Sequence, residues 1–219
     1  MMITPTMRRY AAEIYRLQDK KGYAGLSEIA ESVNASLQAT SRMLSRLKVA
    51  GFVNHEPYRG VRLTPQGVEI AMPAIRRHRL VEVFLVRLMK FGWDEVHEMA
   101  DRFELGLNQT IEDRIDALAG YPTRCPHGEP IPDRDGVMPE VNDHSLGEVE
   151  TGVSCLLSRV RVHEPEKLRY LAELGLTPGA RFKLISRAPF NGPLRIAIDR
   201  QEIVLGYELA TALYVELIE

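Results

Sequence analysis

The sequence contains very few cysteines and no long apolar run. No segment reaches 18 consecutive apolar residues, so we expect no membrane-spanning helix. The first 21 residues, MMITPTMRRYAAEIYRLQDKK, carry charges every few positions and have no apolar centre, so we also expect no export signal. Cys125 and Cys155 are the only cysteines, which excludes a disulfide framework and favours a cytoplasmic location.

The charge of the chain is distributed unevenly along its 219 residues. The formal net charge is only -2, and 45% of the residues are apolar, as in an ordinary globular protein. Residues 1–80 nevertheless contain 13 Lys and Arg against 6 Asp and Glu, a net charge of +7, which leaves -9 for residues 81–219. A basic first third can face a polyanion such as nucleic acid, and a merely solvated basic surface is the alternative.

Residues 1–70 show the element order of a winged helix-turn-helix. A helical pattern over 8–18 ends at Gly22, and the run LSEIAESV predicts a second helix with Ser27 as its N-cap. The run LQATSRMLSRLKVAG predicts a third helix that ends at Gly51. Two alternating runs, FVNHEP and VRLT, then flank the turn YRG and predict a two-stranded wing.

In a helix-turn-helix, the second helix of the motif enters the major groove of DNA. Gln can read adenine, Arg can read guanine and Ser can hold phosphate, although each polar residue alone would also suit an ordinary exposed position. The motif order, the basic balance and a glycine-tipped basic wing together favour double-stranded DNA as the partner. The predicted DNA-binding residues are Ser36, Gln38, Ala39, Ser41, Arg42, Arg46 and Arg59.

The middle of the chain has a helical pattern, and its end has the pattern of short strands. The Thr-Pro pair at 64–65 begins a long helix that Pro73 should kink or interrupt, and Asp94 and Asn108 are candidate N-caps for two shorter helices. The Pro-, Gly- and Asp-rich segment 121–147 predicts a loop and linker.

Beyond this linker, VSCLLSRVRV, RFKLISR, LRIAID, EIVL and YVELI predict five short strands, with one helix, EPEKLRYLAELG, after the first. The Asn191-Gly192 pair indicates a hairpin. Tight turns between such short strands predict a small barrel in residues 150–219. The predicted fold class is therefore α+β and mainly helical.

Two helical stretches carry imidazole and carboxylate groups four positions apart. His78 precedes Glu82, and His97 precedes Asp101, with Glu104 three residues further on. This spacing places both side chains on one face of a helix, where they can bind one divalent ion. Each pair alone would suit a surface hydrogen bond or ion pair, but two pairs within 27 residues, followed by the tripeptide CPH, also suit a metal site.

The runs HRLVEVFL and VHEMADRFE follow a winged helix and precede CPHGEPIP and a small barrel. In this the chain resembles the diphtheria toxin repressor family of metal-dependent regulators, especially its manganese-sensing members, over essentially its whole length. The run LRYLAELGLTPGARFKLISRAPFNGPL resembles the FeoA or SH3-like domain of such regulators. The resemblance implies a DNA-binding domain at 1–70, a helical metal-binding and dimerisation domain at 71–140, and an SH3-like β-barrel at 150–219.

The resemblance also implies a metal-binding residue set. An ancillary site takes the helix residues that match His78, Glu82 and His97. Glu164 or its neighbour His163 can complete it from the C-terminal domain. A primary site takes Asp101, Glu104 and, as in the manganese branch, Cys125. The predicted metal ligands are His78, Glu82, His97, Asp101, Glu104, Cys125 and Glu164.

Several positions depart from the family pattern. The family's His ligand after the glutamate is Leu105 here, and the positions of first-helix ligands are Arg9 and Ala12. Gln38 stands where many members begin the recognition helix with proline, so no operator sequence is carried over. The candidates for replacing the missing ligands are Met7, Glu13 and His127.

The function implied is a homodimeric repressor that binds a palindromic operator with Mn(II), or alternatively Fe(II), and controls genes of manganese or iron homeostasis and transport. Zn(II), Co(II) and Cd(II) are expected to substitute in vitro. An alternative is a DNA-binding regulator whose metal site is largely structural and whose barrel contacts another protein. An enzyme is disfavoured because di-metal centres in helical bundles use paired Glu-x-x-His motifs, and this sequence contains none, only Asp94-x-x-His97.

Overall fold

A computed structural model of the chain describes residues 2–199 and 201–218, with only the backbone of residues 19–21 and 105. It divides the chain into two compact units. The first comprises Met1–Arg77 and Pro132–Met138, and the second comprises His78–Ile131 and Pro139–Glu219. Within the described residues, every helix is too short or too polar to cross a bilayer.

The first unit has the predicted order of three helices followed by a two-stranded ribbon. Its elements are α1 (Pro5–Lys21), α2 (Leu26–Ser32), α3 (Leu37–Val49), β1 (Val53–Glu56) and β2 (Gly60–Leu63). The strands are antiparallel, with Val53 opposite Leu63. Apolar side chains from each helix, including Ile14, Ile29 and Leu47, are fully buried in one core. Burying each such side chain contributes about 1.5–3 kcal/mol, so the helical pattern of the sequence is also the main source of this unit's stability.

The helix ends follow local capping chemistry, with one correction. Gly51 follows α3 with φ +79, as the predicted stop requires. The prediction of Ser27 as the N-cap of α2 is wrong, because the helix begins at Leu26 and its N-cap is Gly25. The carboxylate of Glu28 accepts a hydrogen bond from the Gly25 N–H at 3.0 Å, which satisfies this helix end without the serine hydroxyl.

A glycine fixes the wing against the rest of the first unit. Ala24 and Val61 form a β-bridge with N–H to O distances of 2.8 and 2.9 Å. Gly60 precedes this bridge with φ +133, and a Cβ atom on it would lie 2.2 Å from the Ala24 carbonyl oxygen. Only glycine fits this position without displacing backbone.

The second unit begins within α4 (Pro65–Arg87), which continues through Pro73 without interruption. It also contains α5 (Val96–Phe103), a 3₁₀ turn (Glu104–Gly106) and α6 (Gln109–Leu118). Asn108 caps α6 as predicted, accepting from the Ile111 N–H at 3.0 Å. The prediction that Asp94 caps α5 is wrong: the N-cap is Glu95, and Asp94 instead pairs with Arg169 at 3.1 Å.

The C-terminal part of the second unit is a six-stranded antiparallel sheet with the order β3-β8-β4-β5-β6-β7. Its elements are β3 (His144–Ser145), β4 (Ser154–Val160), α7 (Pro165–Glu173), β5 (Arg181–Arg187), β6 (Leu194–Ile198), β7 (Gln201–Leu205), α8 (Tyr207–Thr211) and β8 (Leu213–Ile218). The hairpin at Asn191-Gly192 joins β5 and β6 as predicted. The two-residue β3 and five-residue α8 are additional to the predicted elements.

The segment 121–147 is largely irregular, as predicted, but much of it is more than a linker. Most of residues 125–132 are buried, and Cys125 and Ile131 belong to the core of the helices. The chain then contributes residues 132–138 to the first unit, where Met138 packs against the apolar core. It returns to the second unit at Pro139.

We expect Gly60→Ala to lower the free energy of unfolding by about 1–3 kcal/mol, because the new Cβ atom meets the Ala24 backbone and φ is positive. Urea denaturation followed by circular dichroism measures this loss. Gly206→Ala is the matched control, since Gly206 has φ -61 and no heavy atom within 4 Å of an added Cβ. Equal stability of both variants would contradict the assigned role of Gly60.

Candidate metal centre and nucleic-acid interface

The buried face of α4 places two polar side chains beside α5. His78 and Glu82 are four residues apart on α4 and are each only 2% exposed. The Nδ1 atom of His78 lies 3.1 Å from Asp101 Oδ1 and 3.5 Å from Glu104 Oε2. Its Nε2 atom lies 3.2 Å from Glu82 Oε1 and 3.1 Å from His97 Nδ1. The two nitrogens of one imidazole therefore face two different sets of polar atoms.

Glu82 is surrounded by imidazole groups from three elements. Its Oε1 atom lies 3.2 Å from His78 Nε2, 3.0 Å from His97 Nδ1 and 3.5 Å from His127 Nδ1. Cys125 Sγ lies 3.9 Å from the same nitrogen of His127. The loop between α6 and β3 thus brings its Cys-x-His sequence to the carboxylate on α4.

The hydrogen bonds of His127 determine which ring nitrogen faces the carboxylate as an acceptor. Nε2 lies 2.8 Å from the Trp93 carbonyl oxygen, so Nε2 carries a proton and donates it there. In the neutral ring, Nδ1 then has a lone pair directed toward Glu82 and Cys125. A histidine that donates one N–H to a backbone carbonyl and presents its other nitrogen is typical of metal ligands.

The buried carboxylate of Glu82 is stabilised by positive charge. Burial disfavours the charged forms of Glu82 and His127, but each stabilises the other's charge, so the pKa of Glu82 lies well below its ordinary value and that of His127 well above. Burial and then repulsion from Glu82 raise the pKa of the Cys125 thiol. A proton on His127 or a divalent cation can neutralise the Glu82 carboxylate.

Among the described side chains, the ligand atoms form three groups, in each of which all the atoms lie within 4.8 Å of one another. Group A is His78, Asp101 and Glu104; group B is Glu82, Cys125 and His127; group C is His78, Glu82 and His97. Groups A and B share no residue, so they can hold two ions at once. Group C takes one residue from each and is therefore an alternative to them.

The donor atoms fit divalent cations. Group A offers one imidazole and two carboxylates, which suit Mn(II) and Fe(II), and group B adds a sulfur ligand. Among the described residues, the buried Oε2 atom of Glu104 makes no hydrogen bond, and an acceptor in that state is stabilised by a bound cation.

The structure groups one predicted ligand, Cys125, differently from the expectation. Cys125 lies with Glu82 and His127, whereas the family resemblance implied that it would join Asp101 and Glu104. His127, absent from the predicted ligand set, was recognisable from the spacing of the CPH tripeptide. The side chain of Leu105 lies outside the described residues.

The C-terminal domain places His163, and not the predicted ligand Glu164, beside the candidate ligands. The carboxylate of Glu164 is exposed, lies 2.9 Å from Lys167 Nζ and belongs to none of the three groups among the described side chains. The neighbouring His163 ring instead stacks on His97, with centroids 4.2 Å apart.

The other candidates for replacement ligands belong to the first unit. Met7 is buried in its apolar core, as is Ala12, which stands at the position of a missing first-helix ligand. Glu13 accepts hydrogen bonds there from Ser32 and Arg16.

The predicted DNA-binding residues lie on α3 and the wing. The Ser36 hydroxyl caps α3 by accepting from the Ala39 N–H at 3.2 Å. Ala39 itself is half-buried, whereas the predicted polar side chains of α3 are exposed: Gln38, Ser41, Arg42 and Arg46. Arg59 is exposed on the wing turn beside Tyr58, which has φ +65 and is fully exposed. The outer face of α3 is thus polar, as an interface with DNA requires.

Comparison with known proteins assigns the three regions in chain order. Residues 2–61 match the family described as "Iron dependent repressor, N-terminal DNA binding domain". Residues 64–133 match "Iron dependent repressor, metal binding and dimerisation domain". Residues 144–217 match the "FeoA domain".

Individual relatives agree with these matches. "Iron-dependent repressor IdeR" of Mycobacterium tuberculosis (strain ATCC 25618 / H37Rv) is 28% identical over 226 residues, which cover 98% of each chain. "HTH-type transcriptional regulator MntR" of Geobacillus thermodenitrificans (strain NG80-2) is 35% identical over 120 residues, 55% of this chain and 84% of the relative.

A solved structure described as "Manganese-dependent transcriptional repressor complex with manganese" superimposes with a TM-score of 0.87 at 32% identity, covering 97% of this chain and all of the other. The fold, the order of the domains and the sequence identity agree. The chain therefore belongs to the diphtheria toxin repressor family of metal-dependent transcriptional repressors.

Proposed function

We propose that this protein is a homodimeric repressor that binds its operator when divalent metal is available and controls genes of manganese or iron homeostasis. The observation that carries the proposal is the convergence of carboxylate, imidazole and thiol groups into two separate ligand sets, groups A and B. The same chain carries a winged helix-turn-helix with a polar, exposed recognition helix.

Mn(II) is the proposed physiological ion, with Fe(II) as the second candidate. The imidazole and carboxylates of group A suit both ions, and a solved relative is described as a manganese complex. Zn(II), Co(II) and Cd(II) should also bind in vitro, so selectivity must come from geometry and cellular supply. Group A would hold an ion between α4, α5 and the 3₁₀ turn, and group B would hold one between α4 and the Cys125–His127 loop. Either ion would supply positive charge to the buried carboxylates.

Ligand residues on α4 connect metal binding to the DNA-binding domain along the chain. Thr64 lies between the wing and this helix; its hydroxyl accepts from the Gly67 N–H at 3.1 Å and donates to the Gly51 carbonyl at 2.7 Å. His78 and Glu82 follow on the same helix. A dimer reads a palindrome only when its two recognition helices match successive major grooves. If the ligand groups bind metal more tightly in this arrangement than in others, metal binding shifts the population of dimers toward it.

Large apolar side chains in the helical part of the second unit support dimerisation. Those on α5 and α6, or just after α4 and α6, that are partly or mostly exposed are Leu88, Met89, Phe103, Ile111, Leu118 and Tyr121. Aromatic residues and methionine are enriched at protein interfaces. Because repressor-type domains account for most of the chain, we propose no catalytic activity for the protein. We place it in the cytoplasm, where it can reach its operator.

We expect the wild-type protein to bind two Mn(II) ions per chain, because groups A and B share no residue. Asp101→Ala and Glu82→Gln should each reduce this number to one, since each removes a ligand from one group. Equilibrium dialysis with metal analysis measures the number. Glu98→Ala, which removes an exposed carboxylate of α5 outside the groups, should still bind two ions. Two ions in all three variants would contradict the assignment.

The proposed function is tested by a mobility-shift assay on DNA from upstream of the protein's own gene. Mn(II) should strengthen binding, and Asp101→Ala or Glu82→Gln should weaken metal-stimulated binding at least about tenfold, the scale of a 1.4 kcal/mol coupling. Glu98→Ala serves as the control. Equal wild-type binding with chelator would favour the alternative of a largely structural metal site.

Arg42→Ala should weaken operator binding by about 1–3 kcal/mol and relax base preference, because an arginine in this position can contact guanine in the major groove. Fluorescence anisotropy with a set of operator variants measures both effects. Arg195→Ala removes an exposed arginine of the C-terminal sheet and should leave binding unchanged. If both variants bound equally well, α3 would not be the reading helix.

A further inference from the structure

The group B ligands Cys125 and His127 come from an irregular loop. Within this loop, the Cys125 N–H donates to the Glu129 carbonyl at 2.9 Å, and the Gly128 N–H donates to the Cys125 carbonyl at 2.9 Å. These hydrogen bonds give the loop its shape. They do not by themselves hold its two ligand side chains at the correct distance from Glu82 on α4.

Strand β4 supports the loop from the other side. The Val160 N–H donates to the His127 carbonyl at 2.8 Å. Gly128 has φ +86, and a Cβ atom on it would lie 1.9 Å from the Ser158 carbonyl oxygen. The loop backbone therefore lies directly against β4 of the C-terminal sheet, at a position where only glycine fits.

Glu129 adds a charged connection at the same place. Its Oε1 atom accepts from Arg161 Nε at 2.9 Å and lies 3.5 Å from Arg159 Nη1. Arg159 is on β4, and Arg161 directly follows this strand. Its Oε2 atom accepts from Arg79 Nη2 at 3.0 Å. Arg79 adjoins the ligand His78 on α4 and also donates to the Pro130 carbonyl. One carboxylate thus joins the ligand loop to the ligand helix and to the C-terminal sheet.

The two arginines of the sheet are themselves fixed. Arg159 donates to both carboxylate oxygens of Asp143, at 2.7 and 2.5 Å. The guanidinium groups of Arg159 and Arg161 lie 4.6 and 4.9 Å from the centre of the Tyr214 ring. Bidentate pairing and cation–π contact restrict their rotamers, so they present a rigid surface to Glu129.

We propose that Glu129, Arg159 and Arg161 are positioning residues for group B, through which the C-terminal sheet sets metal affinity without donating a ligand. The proposal rests on the proposed metal-binding function. The cluster contains five charged side chains: Arg79, Glu129, Asp143, Arg159 and Arg161. Apolar packing of similar volume is often at least as stable as a buried ionic cluster. The need to hold the Cys125–His127 loop at a fixed place explains why charged groups lie beside it.

The test compares Glu129→Gln, which keeps the size of the side chain but removes its charge, with Glu202→Gln. Glu202 forms an exposed pair with Arg195 on the same sheet and lies outside the ligand groups, so it is the matched control. Arg161→Met and Arg161→Lys form a second pair of variants that remove or keep the positive charge. The full-length protein is titrated with Co(II), and the near-ultraviolet band of a Co(II)–thiolate bond reports ligation by Cys125.

Glu129→Gln and Arg161→Met should weaken the Co(II) affinity measured from the thiolate band about 10- to 100-fold, the range seen when supporting residues of metal sites are changed. Glu202→Gln should match the wild type, and Arg161→Lys should recover part of the loss. A thiol reagent should modify Cys125 faster in metal-free Glu129→Gln, whereas Cys155, buried in the core of the sheet, should remain protected.

Unchanged thiolate-band affinity in Glu129→Gln, with unchanged labelling of Cys125, would overturn the positioning role. If this variant fails to fold, as judged by circular dichroism, Arg161→Met and Arg161→Lys decide the matter by the same two measurements. A wild-type protein without any thiolate band would instead overturn metal binding by group B itself. The failure of the inference and the failure of the proposed function therefore give different results.

Discussion

A carboxylate buried among three imidazoles is the constraint on which the second unit depends. An ionised carboxylate away from water is unstable unless it is paired with positive charge or hydrogen-bond donors. Glu82 obtains its partners from α4, α5 and the CPH loop, through His78, His97 and His127. Satisfying one charge thus requires three separate parts of the chain to meet. The same requirement assembles the residues that can hold a metal ion.

The ligand residues on α4 and those in the loop are held in place by different means. His78 and Glu82 are held by the geometry of a single helix, whereas Cys125 and His127 lie in a loop that has no regular hydrogen-bond ladder. Such a loop obtains its rigidity from its surroundings. The surroundings here are β4, the close approach at Gly128 and the arginine cluster. The C-terminal sheet therefore supports a loop of the candidate metal centre, although none of its residues belongs to a ligand group among the described side chains.

The sequence predicts the features that depend on neighbouring residues. The helix-turn-helix order, the Asn108 cap and the i, i+4 pair on α4 are local patterns, and the structure contains them. Ser27 failed as a cap because α2 already begins at Leu26 with Gly25 as its N-cap. Asp94 instead pairs with Arg169, which is 75 residues away in the sequence and which no local pattern indicates. The grouping of the loop thiol with Glu82 depends on how segment 121–131 packs between helix and sheet. Periodicity and spacing carry no information on such long-range packing.

Groups A and B are adjacent, and the contact between His78 and Glu82 on α4 connects a ligand residue of one with a ligand residue of the other. When His78 ligates through Nδ1, as group A requires, Nε2 must carry the proton of the neutral ring. That N–H lies 3.2 Å from Glu82 Oε1 and orients a ligand of group B. An ion bound by group A would therefore orient a carboxylate that group B needs, and by linkage an ion bound by group B would favour the His78 tautomer that group A needs. Group C takes both His78 and Glu82, so an ion held there would compete with ions in groups A and B.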